Sequence, residues 1–389
     1  LFEDMVFDGY TTNIVLQGSS PNAGDNLAHF EVRRSIITNE FSVHGAGNHS
    51  QGLYAANIDG LLVEENIFYH NGWSETISNA GKSTFNHNIY LQNGNTNDTV
   101  RGNTIIEGSS HGLQLRGGGM ASNNLFVRNP IAMTIGGGSE LASYPGAVKA
   151  VVRDNVVLEG VDINPSNPRG WGIIASNLSS AQITNNILAN TTLATFPQST
   201  NLTSNTGQSC TKPLEGGVHN IVFSENITYE WNAPFYLCGN TTTGVSGITL
   251  ANNDFINLSS SSPFIEHTET GTLDSIVASS NNRFYKPVSV YPDLGATRWT
   301  RIWGAPQTLS YWQTQVGDTT STVLASAPPY PNPTVSVGSY LATLPGGMGS
   351  THQGFVDALM TQSKENWNPA LTASAVNNYI RAAFGKPAV

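Results

Sequence analysis

The chain has 389 residues, of which only 11% are charged, and a formal net charge of −10. Its 17 lysines and arginines are too few and too scattered to neutralise a run of phosphates, which excludes nucleic acid or an anionic membrane surface as the main partner. No apolar run is long enough to span a bilayer. The two cysteines, Cys210 and Cys238, are too few for a structural metal site. They suit one disulfide between neighbouring segments or two buried thiols. Glycine, asparagine, serine and threonine are abundant, which favours many short strands joined by turns. Leu1 opens in mid-strand pattern without a methionine, so we expect a trimmed product with its leader removed, secreted or periplasmic.

In chain order, MVFDGYTTNIVLQG and HFEVRRSIITNEFSVHG read as the first short apolar strands. A phrase then recurs: two variable polar residues, an asparagine, then apolar alternation. It falls at Asn66, Asn103, Asn124, Asn155, Asn186, Asn226, Asn253 and Asn282, at intervals of 37, 21, 31, 31, 40, 27 and 29 residues. The shortest interval is about one bare coil, and longer ones add a loop. This is the signature of a repeat architecture with insertions. A short apolar strand cannot bury a face alone. Stacked in parallel, each pairs with the coils on either side, and the interior becomes one apolar column. The repeated asparagine suits a corner that tolerates left-handed dihedrals, and a stack of them can form an amide ladder. Helical periodicity is nearly absent before residue 350, which argues against a doubly wound α/β fold.

The xxN-I/V/L/F phrase over residues 1–285 resembles the right-handed parallel β-helix superfamily. That superfamily includes pectate-lyase-like enzymes, polygalacturonase-like hydrolases, alginate C5-epimerases and phage tailspikes. The resemblance implies an all-β fold, a single-stranded right-handed parallel β-helix. It specifies architecture rather than activity, since one fold hosts many chemistries. The helix domain is expected over residues 1–285. Residues 286–389 form an extension, aromatic and then proline-rich, covering the solenoid's side or open end; a carbohydrate-binding role for Trp299, Trp303 and Trp312 is the alternative. Two helices are expected there, in GFVDALMTQSKENW and TASAVNNYIRAAFG. Thr372 caps the second and Gly385 stops it.

The chemistry-bearing stretch is His49 to Arg116. Three strands, HSQGLYAAN, HNIYLQNGN and HGLQLRGGG, open on or beside a histidine. Aligned by apolar positions, Leu53, Ile89 and Leu113 point inward, as do Ala55, Leu91 and Leu115. Strand alternation then sets Tyr54, Tyr90 and Gln114 in one outward column, and Ala56, Gln92 and Arg116 in the next. Gln51, His87 and His111 sit at the strand entrance. Six of the nine histidines (His29, His44, His49, His70, His87, His111) precede residue 112.

This inventory fits β-elimination on a uronic-acid polysaccharide. A positive or polar group must neutralise the carboxylate (Arg116, Gln92, Gln114 or Asn88). A base must take the C5 proton (His87, His111 or a deprotonated tyrosine). An acid must protonate the departing oxygen (Tyr90 or Tyr54). The set is similar in chemistry to His/Tyr-type polysaccharide lyases. Catalytic candidates are His87, Tyr90, His111 and Arg116. Substrate-binding candidates are Tyr54, Asn88, Gln92, Gln114, His49, His70, Trp73, Lys82 and Arg169, with His70, Trp73 and Lys82 expected to wall the groove from loop 70–86. The calcium-binding aspartate cluster of the pectate lyases, a Lys/Arg pair and the DPHD motif of the epimerases are not found. No cofactor is required, and a calcium ion in a turn is the open alternative. Two other activities stay open: a glycoside hydrolase using turn carboxylates (Glu64, Glu65, Glu75, Asp98 or Glu107), or a non-catalytic, tailspike-like glycan binder. The expected partner is a polysaccharide and the expected state a monomer.

Overall fold

The computed structural model describes residues 1–19, 27–43, 49–137, 148–191, 201–203, 217–239, 244–259, 261–267, 271–287, 289, 299–346 and 348–389. His44 and Cys210 lie outside them. Among the described residues, strands hold 40% and helices 11%, so the fold is strand-dominated.

Three long sheets carry most of the strands. The first runs from Phe2–Glu3 to Val277–Ser280 in 10 strands, the second from Val6–Asp8 to Thr322–Val323 in 11, and the third from Thr12–Gln17 to Ala305–Gln307 in 11. Successive strands visit the three sheets in rotation, and each pairs in parallel with strands of the circuits before and after it. Only the closing hairpin of Thr300–Ile302 with Ala305–Gln307 is antiparallel among these pairs. The result is a solenoid-like stack of parallel sheets, and strand pairing continues past residue 285.

The interior is the predicted apolar column. In the second sheet, register aligns Phe68, Ile105, Phe126, Val157 and Leu188 one above another, all buried. Because side chains alternate with period two, a slip of one residue would turn this column outward, so the apolar pattern holds the register.

The eight repeated asparagines form a continuous ladder. Asn124 donates its backbone N–H and its side-chain Nδ2 to Asn155 Oδ1, both at 3.0 Å, and Asn155 does the same to Asn186. The pattern runs from Asn66 to Asn282. Ser35 N–H donates to Asn66 Oδ1 at one end, and Asn282 N–H donates to Ser321 Oγ at the other. The left-handed corner residue is not the ladder asparagine, as expected, but the one before it: Glu65, Gly102, Asn123, Asp154, Asn185, Glu225, Asn252 and Asn281 all have φ between 52° and 64°. The ladder residue turns inward to feed buried backbone. The residue before it makes the bend and faces solvent more readily, so charged side chains are accepted there.

The C-terminal segment covers both an end and a side. Helix Leu309–Val316, not anticipated from the sequence, buries Leu309, Trp312 and Val316 against the last circuits of the interior column. Helices Val337–Leu341, His352–Met360 and Ala373–Ala383 lie on the outer face of the second sheet. There Leu341, Phe355, Leu359, Val376 and Ile380 pack over Ile67, Ile106, Leu125, Val156 and Ile187. The second sheet is therefore buried on both faces, which is why strands such as Leu125–Val127 and Val156–Leu158 are apolar at every position. Thr372 caps the last helix by accepting from Ala375 N–H, and Gly385 follows it at φ 70°. Trp299 and Trp312 are buried, so neither is a sugar-binding platform. Cys238 is disulfide-bonded.

Candidate functional site

The third sheet stacks the histidine-led strands in the predicted register. His87 pairs with Gln51 on one side and His111 on the other, and Tyr90 with Tyr54 and Gln114. The next two circuits continue the columns. Ile131 and Trp171 follow His111, Thr134 and Ile174 follow Gln114, and Ser176 follows Gly136. With adjacent strands about 4.8 Å apart, five consecutive strands bring these side chains onto one surface strip.

A cavity of about 340 Å³ opens along that strip. His49, His87, Tyr90, His111, Gln114, Arg116, Thr134, Arg169, Trp171 and Ser176 line it, with Thr84 and Phe85 at the end nearest His49. The His87 and His111 rings lie 4.7 Å apart between centroids. Tyr90 is 4.9 Å from His87 and meets Tyr54 edge-on at 5.5 Å. The Arg116 guanidinium sits over the Tyr90 ring at 5.1 Å, and that of Arg169 over Trp171 at 4.7 Å. Arg116 is steered by Nη1, which donates to Gln92 Oε1 at 3.4 Å.

Burial and neighbouring charges lower the pKa of His87 and of His111. Burial pushes His87 well below the ordinary imidazole value, and the neighbouring His111, Arg116 and His49 add to it. Burial, followed by the field of Arg116 and Arg169, lowers His111 to about 3. Both rings are neutral at neutral pH, the form that accepts a proton. Polar atoms also lack protein partners here. Arg116 Nε, Thr134 Oγ1 and Ser176 Oγ are buried and make no hydrogen bond within the protein. Such groups are satisfied by water or by a bound ligand. No aspartate or glutamate is among the described residues lining the cavity.

Some expected residues lie elsewhere. Asn88 does not face the groove. It is fully buried at the next corner, accepting from Asn71 Nδ2 at 2.9 Å and donating to Asn129 Oδ1 at 3.1 Å. The strand bends at its entrance, so His87 and Asn88 do not follow simple alternation. Trp73, His70 and Lys82 do not wall the cavity either. Trp73 Nε1 donates to Glu107 O at 2.9 Å, with the His70 ring 4.2 Å away and Lys82 Nζ 4.4 Å over the indole. This cluster pins loop 70–86 toward Glu107, which His352, at the start of helix His352–Met360, also meets at 2.8 Å. Tyr54 and Gln92 are not among the lining residues; Tyr54 lies beside Tyr90 on the neighbouring strand, and Gln92 accepts from Arg116. Conversely, Phe85, Trp171 and Ser176 line the cavity without having been anticipated, and Thr134 continues the Gln114 column into it. Trp171 could have been found by carrying the column alignment two circuits further.

The turn carboxylates are engaged away from the cavity. Glu64 pairs with Arg33 and Arg101, Glu75 with His70, and Glu107 with His352. Asp98 is buried, which raises its pKa well above the usual carboxylate value. Among the described residues, no group of three or more histidines, cysteines, aspartates or glutamates is placed to hold a metal ion. Besides the internal geometry, three comparisons bear on the chain: no protein-family model matches it, and neither a curated protein nor a solved structure does.

Proposed function

We propose that this chain is a polysaccharide lyase that cleaves a uronic-acid polymer by β-elimination, on a right-handed parallel β-helix of the pectate-lyase-like kind. The observation that carries the reading is the cavity lining: three histidines, of which His87 and His111 are neutral, a tyrosine and two arginines, with no carboxylate among the described lining residues.

In this scheme Arg116 meets the substrate carboxylate and stabilises the negative charge that develops as the C5–H bond breaks. His87 or His111 takes that proton on its ring nitrogen. The C–H electron pair becomes the C4–C5 double bond, and the C4–O bond breaks. The Tyr90 hydroxyl gives its proton to the departing oxygen. The guanidinium over the Tyr90 ring favours the phenolate left behind, which the imidazolium then reprotonates through solvent. No water is consumed. The products are an unsaturated uronate end and a new reducing end. Arg116 supplies the positive charge, so the scheme needs no cofactor and a chelator is expected to leave turnover intact. We take the enzyme to be a secreted or periplasmic monomer.

The test is incubation with a panel of uronate polymers, following ultraviolet absorbance of the unsaturated product. Absorbance growing with cleavage supports elimination. New reducing ends without it refute the scheme in favour of hydrolysis. Binding with neither signal refutes it in favour of a glycan-binding protein.

A further inference from the structure

The hydrogen bonds around His87 specify which of its nitrogens carries the proton. His87 Nδ1 lies 2.6 Å from Gln51 Oε1. The Gln51 amide is itself oriented, because its Nε2 donates to the Phe85 carbonyl at 2.9 Å. That bond turns the amide oxygen, not the NH2, toward His87. An amide oxygen has no proton to offer, so Nδ1 must hold one and donate it. A neutral ring has a single N–H, so Nε2 is left with its lone pair. Gln51 is only 2% exposed and does not line the cavity, whereas His87 does.

We propose that Gln51 is a positioning residue: it locks His87 in the Nδ1–H tautomer and so presents Nε2 as the proton acceptor of the site. This names His87 as a base prepared for the elimination described above, and its kinetic consequence rests on that reading; the tautomer itself does not. A histidine side chain free in water favours the opposite, Nε2–H form, so the lock does what the ring would not do alone. The phenylalanine at the mouth of the cavity takes part only through its backbone carbonyl, which ties the lock to the loop before the strand.

The titratable and charged neighbours of His87 are His49 from the preceding segment, Tyr90 on its own strand, and His111 and Arg116 from the next circuit. None of these carries a carboxylate, so replacing Gln51 with glutamate would introduce one directly at Nδ1. The expected effect is to favour the imidazolium.

The experiment is nitrogen-15 NMR of the imidazoles in the full-length protein, with His87→Gln used to assign the signals. The wild type should show a protonated-type Nδ1 and an unprotonated-type Nε2 for His87. An Nε2–H pattern overturns the proposal whatever the activity. In Gln51→Glu the His87 titration should move to higher pH, and the acidic limb of kcat should move with it. In Gln51→Leu, checked for folding by circular dichroism, the Nε2–H form should appear and kcat should fall about tenfold or more with KM little changed, as expected when a base is held in the wrong tautomer. A normal NMR pattern together with unchanged kinetics in both variants overturns the role of His87 as the base while leaving the lyase reading intact. Absence of lyase activity in the wild type overturns the lyase reading and leaves the tautomer lock to stand or fall on the spectra.

Discussion

Replacing Asn155 by leucine removes one rung from the middle of the asparagine ladder. Four side-chain hydrogen bonds go: two accepted from Asn124, one donated to Ala121 O and one donated to Asn186 Oδ1. They do not count equally. Asn186 Oδ1 keeps the bond from the backbone N–H of residue 155, and Asn124 Nδ2 keeps Val100 O. The Asn124 backbone N–H has no other acceptor within the ladder and is fully buried with its residue. Leaving one such group unpaired costs about 1–3 kcal/mol, and weakening the carbonyl of Ala121 adds about 1 kcal/mol. The expected loss is therefore about 2–4 kcal/mol. Urea unfolding, with the exposed Gln182→Leu as a control expected within about 0.5 kcal/mol of the wild type, measures it. Hydrogen exchange at the Asn124 amide should accelerate more than at amides two circuits away. A variant within about 0.5 kcal/mol of the wild type, with Asn124 still protected, would refute the view that the ladder holds the stack together.

Three other outcomes follow from the geometry. Because His111 titrates near 3 when folded against about 6.5 when unfolded, the unfolded chain binds a proton that the folded chain refuses as pH falls below about 6.5. Stability should fall from there toward pH 3, and His111→Gln should flatten part of that decline in urea midpoints; equal slopes contradict the assignment. Arg116→Ala should lower kcat/KM on uronate polymers by about 100-fold or more, with Arg116→Lys intermediate, if the guanidinium stabilises the developing charge; unchanged kinetics place the carboxylate elsewhere. Trp73→Ala should leave turnover unchanged while lowering the melting temperature, since the indole pins loop 70–86 rather than facing the cavity; lost activity in a folded variant returns Trp73 to the groove.

Much of this arrangement is legible in the residues. The asparagine phrase locates eight corners because each corner must feed the same buried backbone groups. The period-two alternation of Leu53, Ile89 and Leu113 fixes which side chains share a column, and pairing follows that alignment residue by residue. What is not legible depends on bends and on packing between distant segments. Asn88 escapes simple alternation because the chain kinks at the strand entrance, sending it into a second amide chain with Asn71 and Asn129. The Glu107–His352 contact spans 245 residues, and no local pattern announces it. Phe85 reaches the cavity from a loop whose path is set by the Trp73 cluster. Helix Leu309–Val316 is short, and its Thr308 cap and Gly317 stop are obscured by the aromatic run around them.

The proposed β-elimination by the His87–Tyr90–His111–Arg116 patch can be tested on the enzyme itself. The most direct measurement compares the wild type, His87→Ala, Tyr90→Phe and Arg116→Ala on uronate polymers, recording the unsaturated product by ultraviolet absorbance and new reducing ends in parallel. Elimination at this patch requires that both signals rise together in the wild type and that each substitution lower both by about 100-fold or more without unfolding the protein. Reducing ends appearing without the unsaturated product, or full activity in all three variants, would contradict it.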